Sequence, residues 1–575
     1  MDRTAWIVVA LCVIGLVAWQ IYVAKQMPPR PAPVNVASGQ ASPTASPRVF
    51  EASPPPATPE TTPKTAELTP SFAEKIETLR NSDVELRLTN RGGGIKEAVL
   101  LRQIAEKGQR VVLNSARNAP IGAIIEQPSA PTLPEFTAST ESNSVVQFEG
   151  TTAEQVAIRK KFFFEKSPEN KDNYVIEMDV DFRNGGTQPY LSMNGGYFVA
   201  LGSAAPIHPK DYPSYTRLVW CIDGRAKGID VGWFGSSGGF LGLGQRAARP
   251  YYQENIAGAE WVAVSNQFFT TLMAPLTAKA TSVWGRRFDT DYIPDQKLPA
   301  IEGALGMPGF QLQPGQTYSA RFEIYAGPKL YHRLAQLPHN EAEVMDFGMF
   351  KIVCQFLLNF MNLLHSWLHD YGLAILALTT IIKLTLWPIQ NRANRSMRQM
   401  AALSPKMAEL KEKYKDDPTR MNQELMKLYK QYGINPVGGC LPMMIQIPIF
   451  FGLFKMLGQA VELRNAKFLW VKDLSQPDTI AHLPLIGWPV NIIPLCMAAT
   501  QIWLMAMTPK TGDPTQRRVM MFTPLIFLFI CYNFAAALAL YYTAQNLFSI
   551  LQFYQNKRQP MPTLEKVAPP AKRKR

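Results

Sequence analysis

The chain has 575 residues, 47% of them apolar and 18% charged, with 59 basic against 45 acidic side chains and a net charge of +14. That length exceeds one compact domain, and a mean hydropathy of −0.08 averages a polar front half with a very apolar last third. The basic residues sit in short segments between and after apolar runs, which favours membrane orientation signals over a nucleic-acid-binding face.

Residues 1–26 hold an apolar run from Trp6 to Ala24 that continues through Trp19 and Tyr22 without a small-x-small site. That pattern predicts a retained membrane anchor rather than a cleaved signal. Cys12 follows Leu11, too large for a lipoprotein site. Residues 27–70, with ASPTASP and EASPPPATPETTP, cannot bury a core and read as a disordered Pro/Ala/Ser/Thr tether.

From 71 to 344 short stretches alternate in polarity between Gly, Asn and Pro signals: Val84–Thr89, Val145–Phe148, Lys161–Phe164, Tyr174–Phe182, Trp261–Val264 and Tyr318–Tyr325. Period-two alternation with turns between predicts a large antiparallel β-sandwich. Cys221 stands alone in this polar region. The other five cysteines (Cys12, Cys354, Cys440, Cys496, Cys531) lie in or beside apolar segments, so neither a disulfide framework nor a CxxC metal pair can be built.

Helical periodicity takes over from 345 to 555. Residues 345–368 repeat Lys351, Gln355, Asn359, Asn362 and His365 along one side, the pattern of an amphipathic interfacial helix. Residues 371–390 are long and apolar enough to span a bilayer, yet carry Lys383 beside Thr379, Thr380 and Thr385. A charge at mid-bilayer costs about 2.5 to 3.5 kcal/mol, so it is kept where something uses or shields it.

Residues 391–433 predict a water-facing helical hairpin. Met400, Leu403, Met407, Leu410 and Tyr414 form one stripe; Met421, Leu425, Leu428 and Tyr432 form the other. Pro405 and Pro418 mark helix starts and Gly433 an end. Three apolar regions follow, at 441–458, 484–507 and 519–554. The last would be about 54 Å long as one helix, so it must fold back near Asn533–Ala536 into spans 519–534 and 536–555. With the anchor the total is six spans. An even count places the basic hairpin, the loop with Lys510, Arg517 and Arg518, and the tail 556–575 ending AKRKR together in the cytoplasm, and the β domain in the periplasm.

Three enzyme-like signals have simpler readings. Gly235-Ser236-Ser237-Gly238-Gly239 fits GxSxG but lies in a glycine-rich loop without the strand and helix of a nucleophile elbow. Gly242-Leu243-Gly244 with Ala247 lacks a βαβ context. His365 and His369 have no third metal ligand. No GxxxxGK[ST] loop points to ATP hydrolysis.

The stretches TNRGGGIKEAVL (89–100), EWVAVSNQFFTTLMAP (260–275), AGPKLYHRLAQL (326–337), the Lys383 span and its hairpin, NPVGGCLPMMIQIPIFFGLF (435–454) and ALYYTAQNLFSILQ (539–552) come in an order that resembles the YidC family of bacterial inner-membrane insertases. That family has mitochondrial and chloroplast relatives. The resemblance implies a non-enzymatic membrane insertase and chaperone with no cofactor, no metal and no catalytic residue. It implies a five-span insertase core enclosing a hydrophilic groove open to cytoplasm and lipid. Lys383 stands where bacterial members usually carry arginine, keeping the charge and losing the bidentate fork. Gln446, Tyr541 and Tyr542 match positions near the groove or on the substrate's path. The implied partners are nascent membrane proteins, the Sec translocon, the translating ribosome and membrane lipids, with no specific nucleic-acid sequence.

Each of these residues also has an ordinary reading. Lys383 snorkels to the cytoplasmic surface; Gln446, Gln501, Gln545 and Asn546 glue helices together; Tyr541 and Tyr542 are interfacial aromatics. The hairpin's stripes are its own seam, and the AKRKR tail is an orientation signal or an RNA contact. A different class of function, a membrane-tethered periplasmic carbohydrate-binding or processing protein, is the other reading of a large β-sandwich.

Overall fold

The computed structural model describes residues 72–105, 108–115, 119–128, 133–142, 144–164, 173–192, 196–236, 246–293, 296–415, 417–434, 441–484, 487–507 and 514–557. The anchor, the tether, the tail beyond 557, Ser237, Gly242-Leu243-Gly244, Cys12 and Cys440 lie outside them. Two compact units result. One holds the described residues up to Asn266 with Thr270–Gly327, the other Gln267–Phe269 and the described residues from Pro328 onward. The boundary falls near 327, earlier than the change of pattern read at 344.

The first unit is β-rich and its paired strands are antiparallel. A nine-stranded sheet runs, in spatial order, Arg225–Asp230, Arg217–Ile222, Trp261–Ser265, Phe269–Pro275, Thr317–Pro328, Val175–Asn184, Val156–Phe164, Val145–Thr151 and Thr137–Ser142. A five-stranded sheet runs Tyr252–Ala259, Ala280–Ile293, Gln296–Pro308, Gly196–Ala204 and Ile124–Ile125. A third sheet is built from Ile76–Arg80, Val84–Thr89, Gly94–Ile104 and Arg110–Leu113. Alternation decides the inward set: in Val156–Phe164, Val156, Ile158, Lys160 and Phe162 are buried while Ala157 and Arg159 are exposed. Leu218 and Val264 of the nine-stranded sheet lie against Gly303 of the five-stranded one, where an added Cβ would sit 2.8 Å from Val264 and 2.9 Å from Leu218.

In the second unit a helical turn, Tyr331–Leu334, and two 3-10 turns, Glu341–Met345 and Gly348–Phe350, precede helix α1, Lys351–Leu368. The interfacial helix read as 345–368 therefore starts six residues later. Asp346 (φ +44°) and Gly348 (φ +61°) are left-handed and interrupt it. Helix α1 buries Cys354, Leu357, Leu358, Met361 and Leu364 and exposes Ile352, Phe356, Leu363 and Trp367.

Helix α2, Tyr371–Ala402, is capped by Asp370, whose carboxylate accepts from Leu373 N at 2.8 Å. It runs unbroken through Pro388 into the polar stretch read as the start of the hairpin. Helices α3, Ser404–Lys413, and α4, Pro418–Gln431, complete that hairpin, with Pro405 and Pro418 in their first turns and Gly433 at φ +63° beyond α4. Leu403, Tyr432 and Ile434 form its buried seam with Met400, Met407, Leu428 and Tyr429.

Helix α5 is Leu441–Leu457, α6 Ile492–Met507, α7 Pro514–Cys531 and α8 Ala536–Lys557. The break between α7 and α8 falls where the length argument requires it. The apolar region 484–507 is helical only from Ile492. Pro489–Asn491 instead pairs with Thr479–His482 as a two-stranded ribbon, with Gly487 left-handed at its turn. Asn491 fastens it, accepting from Thr479 Oγ1 and donating to Tyr532 O, both at 2.7 Å.

Among the described residues one helix, Tyr371–Ala402, is long and apolar enough to cross a membrane by itself, and Met444–Leu457, Ile492–Met507 and Phe522–Cys531 are shorter apolar helices. Helix length and composition alone therefore do not carry the count of six spans. Sixteen residues reach only about 24 Å against a hydrocarbon layer of about 30 Å, and the polar residues of α8 lower its mean hydropathy.

Candidate functional site: a polar ladder between helices

The helical unit exposes large apolar side chains while burying polar ones along one helix. Helix α7 exposes Phe522, Leu525, Ile526, Phe529 and Ile530, the phenylalanine at 529 being 81% exposed. Helix α8 meanwhile buries Gln545, Asn546, Gln552 and Asn556. In water that arrangement is unfavourable at about 25 cal/mol per Å2 of apolar surface; in lipid it is the expected one.

Tyr541, Gln545, Ser549, Gln552 and Asn556 recur at three- and four-residue steps, so they share one face of α8. Helices α2 and α5 contribute the groups opposite. Lys383 Nζ donates to Ser549 Oγ at 2.9 Å, and Ser549 Oγ donates to Gln545 O at 3.0 Å. Gln446 of α5 donates through Nε2 to Gln545 Oε1 at 2.8 Å and to the Tyr541 hydroxyl at 3.3 Å. Further along, Gln552 Nε2 donates to Asn391 Oδ1 at 2.7 Å and to Trp387 O at 3.3 Å. Asn556 Nδ2 reaches the same Asn391 oxygen at 3.1 Å, and Arg398 donates to Asn556 O at 2.7 Å. The result is a ladder along α8 in two hydrogen-bonded groups, one from Tyr541 to Lys383 and one from Gln552 to Arg398.

Lys383 is only part-buried. An ammonium has three N–H groups, and Ser549 is the hydrogen-bond partner the structure gives it among the described residues. Thr379, Thr380 and Thr385 each donate to the carbonyl four residues earlier.

Of the four site residues read from the sequence, Lys383, Gln446 and Tyr541 join this ladder. Tyr542 does not. Its ring packs edge-on to Phe450 (centroids 5.3 Å apart) and lies 4.9 Å from Phe527, in an aromatic cluster beside the ladder. Asn546 does what the plain reading gave it, donating to Met497 O and Thr500 Oγ1 and tying α8 to α6. His365 stacks on Tyr371 with centroids 3.7 Å apart, and His369 caps α1 at φ +56°. Sequence reading missed Ser549, Gln552, Asn556 and Asn391. The signal was the polar spacing along α8, hidden because single serines and asparagines in apolar runs are common.

The sequence matches a YidC periplasmic domain over residues 77–360 and the 60Kd inner membrane protein family over 363–562. A membrane protein insertase YidC from Syntrophobacter fumaroxidans is 37% identical over 302 residues, covering 51% of this chain and 53% of that protein. The chain thus spans about half the length of that relative in the alignment. The Maridesulfovibrio salexigens protein of the same name is 32% identical over 400 residues, 67% of each chain. That from Nitratidesulfovibrio vulgaris is 29% identical over 578 residues, covering 96% of this chain and 98% of that one.

Proposed function

Because the chain belongs to the YidC family of membrane protein insertases, we propose that it inserts integral membrane proteins and helps them fold, through an intramembrane polar face organised by Lys383. The supporting observation is a partly buried ammonium with one hydroxyl partner, set in a hydrogen-bond ladder inside a unit whose outer surface is apolar. Polar groups at membrane depth lower the cost of drawing a short polar tail part-way across. Lys383 attracts an acidic or neutral tail; burial of the incoming apolar segment in lipid, about 0.8 kcal/mol per methylene, drives the step. The membrane potential adds about 2.3 kcal/mol per charge per 100 mV for charged tails.

On this reading the chain has six spans, with α2 and α5–α8 forming the insertase core and α1 lying in the interface. The β-rich unit is a periplasmic sandwich of its two largest sheets, a packing supported by Leu218 and Val264 against Gly303. The helical hairpin and basic tail face the cytoplasm of an inner-membrane protein. Tyr542 and its aromatic cluster border the path of the apolar segment. Nascent membrane proteins are the substrates, with the Sec translocon, the ribosome and lipids as partners. Family membership does not favour the carbohydrate-binding alternative.

The test is insertion of a single-span protein with a short acidic tail into vesicles containing the full chain, scored by protection of the tail from added protease. Lys383→Arg should insert near the parent level, Lys383→Ala less, and Lys383→Glu at least about tenfold less, a barrier change of about 1.4 kcal/mol. Parent-level insertion by Lys383→Glu would sink the charged-face reading.

A further inference from the structure

The segment joining α5 to α6 contains a turn that its own fold does not explain. Phe468 and Val471 pair through two backbone hydrogen bonds of 3.0 and 2.8 Å, which puts Leu469 and Trp470 at the tip of a two-residue turn. Leu469 sits at φ +51°, a region that glycine, asparagine and aspartate enter readily and bulky residues avoid. Among the described residues it is the one apolar side chain with a left-handed backbone. It gains no burial in exchange, since Leu469 is 76% exposed and Trp470 47%. A strained turn presenting leucine and tryptophan outward is the signature of an occupant outside the chain.

The turn is held at a defined level. The Phe468 ring lies so close to Gly372, the second residue of α2, that a Cβ there would meet it at 2.1 Å. Trp470 Nε1 donates to Asp478 Oδ2 at 3.2 Å, and the same oxygen accepts from Ile493 N, the second residue of α6, at 2.8 Å. The tip is therefore fastened to the N-terminal ends of two helices.

The acids of this segment are engaged and the lysines beside the tip are not buried. Glu462 accepts from Asn362, Asp473 from the backbone and hydroxyl of Ser475, and Asp478 from Trp470 and Ile493. Lys467 and Lys472, two residues outside the tip on either side, are exposed. The neighbouring ribbon continues the apolar edge with Ile480, Leu483 and Trp488, each about half exposed. Arg464 packs over the Phe268 and Phe269 rings, but the two lysines beside the tip face outward with the acids engaged, and leucine and tryptophan between them match an anionic lipid surface.

We propose that the Leu469–Trp470 turn is a membrane wedge. Its tip lies at the boundary of headgroups and acyl chains in the periplasmic leaflet, Lys467 and Lys472 meet lipid phosphates, and the turn sets the depth at which α2 and α6 enter the bilayer. This inference rests on the reading of those helices as spans with their N-termini at that leaflet.

The experiment uses the full chain, its native cysteines replaced in a background that retains insertion, in vesicles of phosphatidylethanolamine and phosphatidylglycerol. An environment-sensitive fluorophore is attached to Leu469→Cys, or to Phe529→Cys on the exposed face of α7 as a reference. Nitroxides at the lipid headgroup, nitroxides along the acyl chain, and aqueous iodide are the quenchers. The wedge requires the label at 469 to be quenched several-fold more by headgroup nitroxides than by iodide, and Lys467→Glu with Lys472→Glu to reduce that difference at least twofold. Quenching of 469 by iodide alone, with 529 still quenched by acyl-chain nitroxides, overturns the wedge and leaves the spans standing. A 469 label shielded from every quencher means that protein covers the tip, and also overturns it. If neither position responds to lipid nitroxides, the spanning reading fails and the wedge with it. A second variant separates structure from function: Leu469→Gly relieves the left-handed strain, so it should hold or raise thermal stability in detergent while lowering insertion in vesicles. Parent-level insertion by Leu469→Gly counts against the wedge.

Discussion

One lysine from each unit, Lys160 and Lys383, meets opposite treatment. In the β-rich unit Lys160 is fully buried; its ammonium donates to Gly92 O at 2.6 Å and Gly122 O at 3.1 Å and lies 4.5 Å from the centre of the Phe136 ring. In the helical unit Lys383 is half-buried and has the Ser549 hydroxyl. The first stands where water lies outside and a core inside, so its donors are spent clipping two loops onto the strand Val156–Phe164. The second stands in a unit whose outer surface carries large exposed apolar side chains, and the Ser549 hydroxyl is the partner given to its three N–H groups. A buried lysine bonded to two carbonyls and an aromatic face is an architectural element; one bonded to a single hydroxyl keeps donors available.

The sharpest way to break this comparison is to remove each lysine. Lys160→Ala leaves two carbonyls unsatisfied and a cavity, and should lower the stability of the β-rich unit by about 3 kcal/mol. Amide hydrogen exchange along the strand Val156–Phe164 in the full chain reads that loss. Lys383→Ala should leave exchange protection in α2 close to the parent level while reducing insertion. Equal destabilisation by both would erase the distinction.

A smaller effect comes from pH. Burial pushes the Lys160 ammonium down from 10.5 to about 7. Between those values the unfolded chain binds a proton that the folded chain does not, so stability rises with pH across the window and is lost as pH falls through about 7. From pH 7 to 9 the gain should be about 2 kcal/mol, measured by urea unfolding of the β-rich unit, and absent in Lys160→Met. A flat profile in the parent would mean that the two carbonyls fully offset desolvation.

The smallest expected effect tests the ladder. In a double-mutant cycle of Gln446→Leu and Gln545→Leu the coupling should be about 0.6 to 1 kcal/mol, the usual size of an interhelical hydrogen bond in a membrane protein. Unfolding in detergent measures it, and additive effects would show that the 2.8 Å contact contributes nothing.

Much of the architecture is legible in the sequence, because local rules act alone there. The strand Val84–Thr89 follows from alternation, the ends of α4 from Pro418 and Gly433, and the α7–α8 break from length. Lys160 was illegible, since a lysine in a strand reads as solvent-facing and only the register turns it inward. The ribbon before α6 was lost inside an apolar run, although Pro484, Gly487 and Pro489 all oppose a helix there. At the site, Lys383 announces itself as a charge in an apolar run. Ser549, Gln552, Asn556 and Asn391 become significant only once α8 is laid against α2.

The continuity of α2 has a mechanical consequence. Its 32 residues make a rod about 48 Å long, bedded at one end by Phe468 on Gly372 and leading at the other into the hairpin of α3 and α4. Lys383 lies along this rod. Pro388, one turn further on, removes the hydrogen bond that would reach Leu384 O, making a compliant joint. Gln552 braces that joint through Trp387 O and Asn391. Gln552 is thus a splint across the joint, gripping residue 387 on the near side of the proline and 391 on the far side.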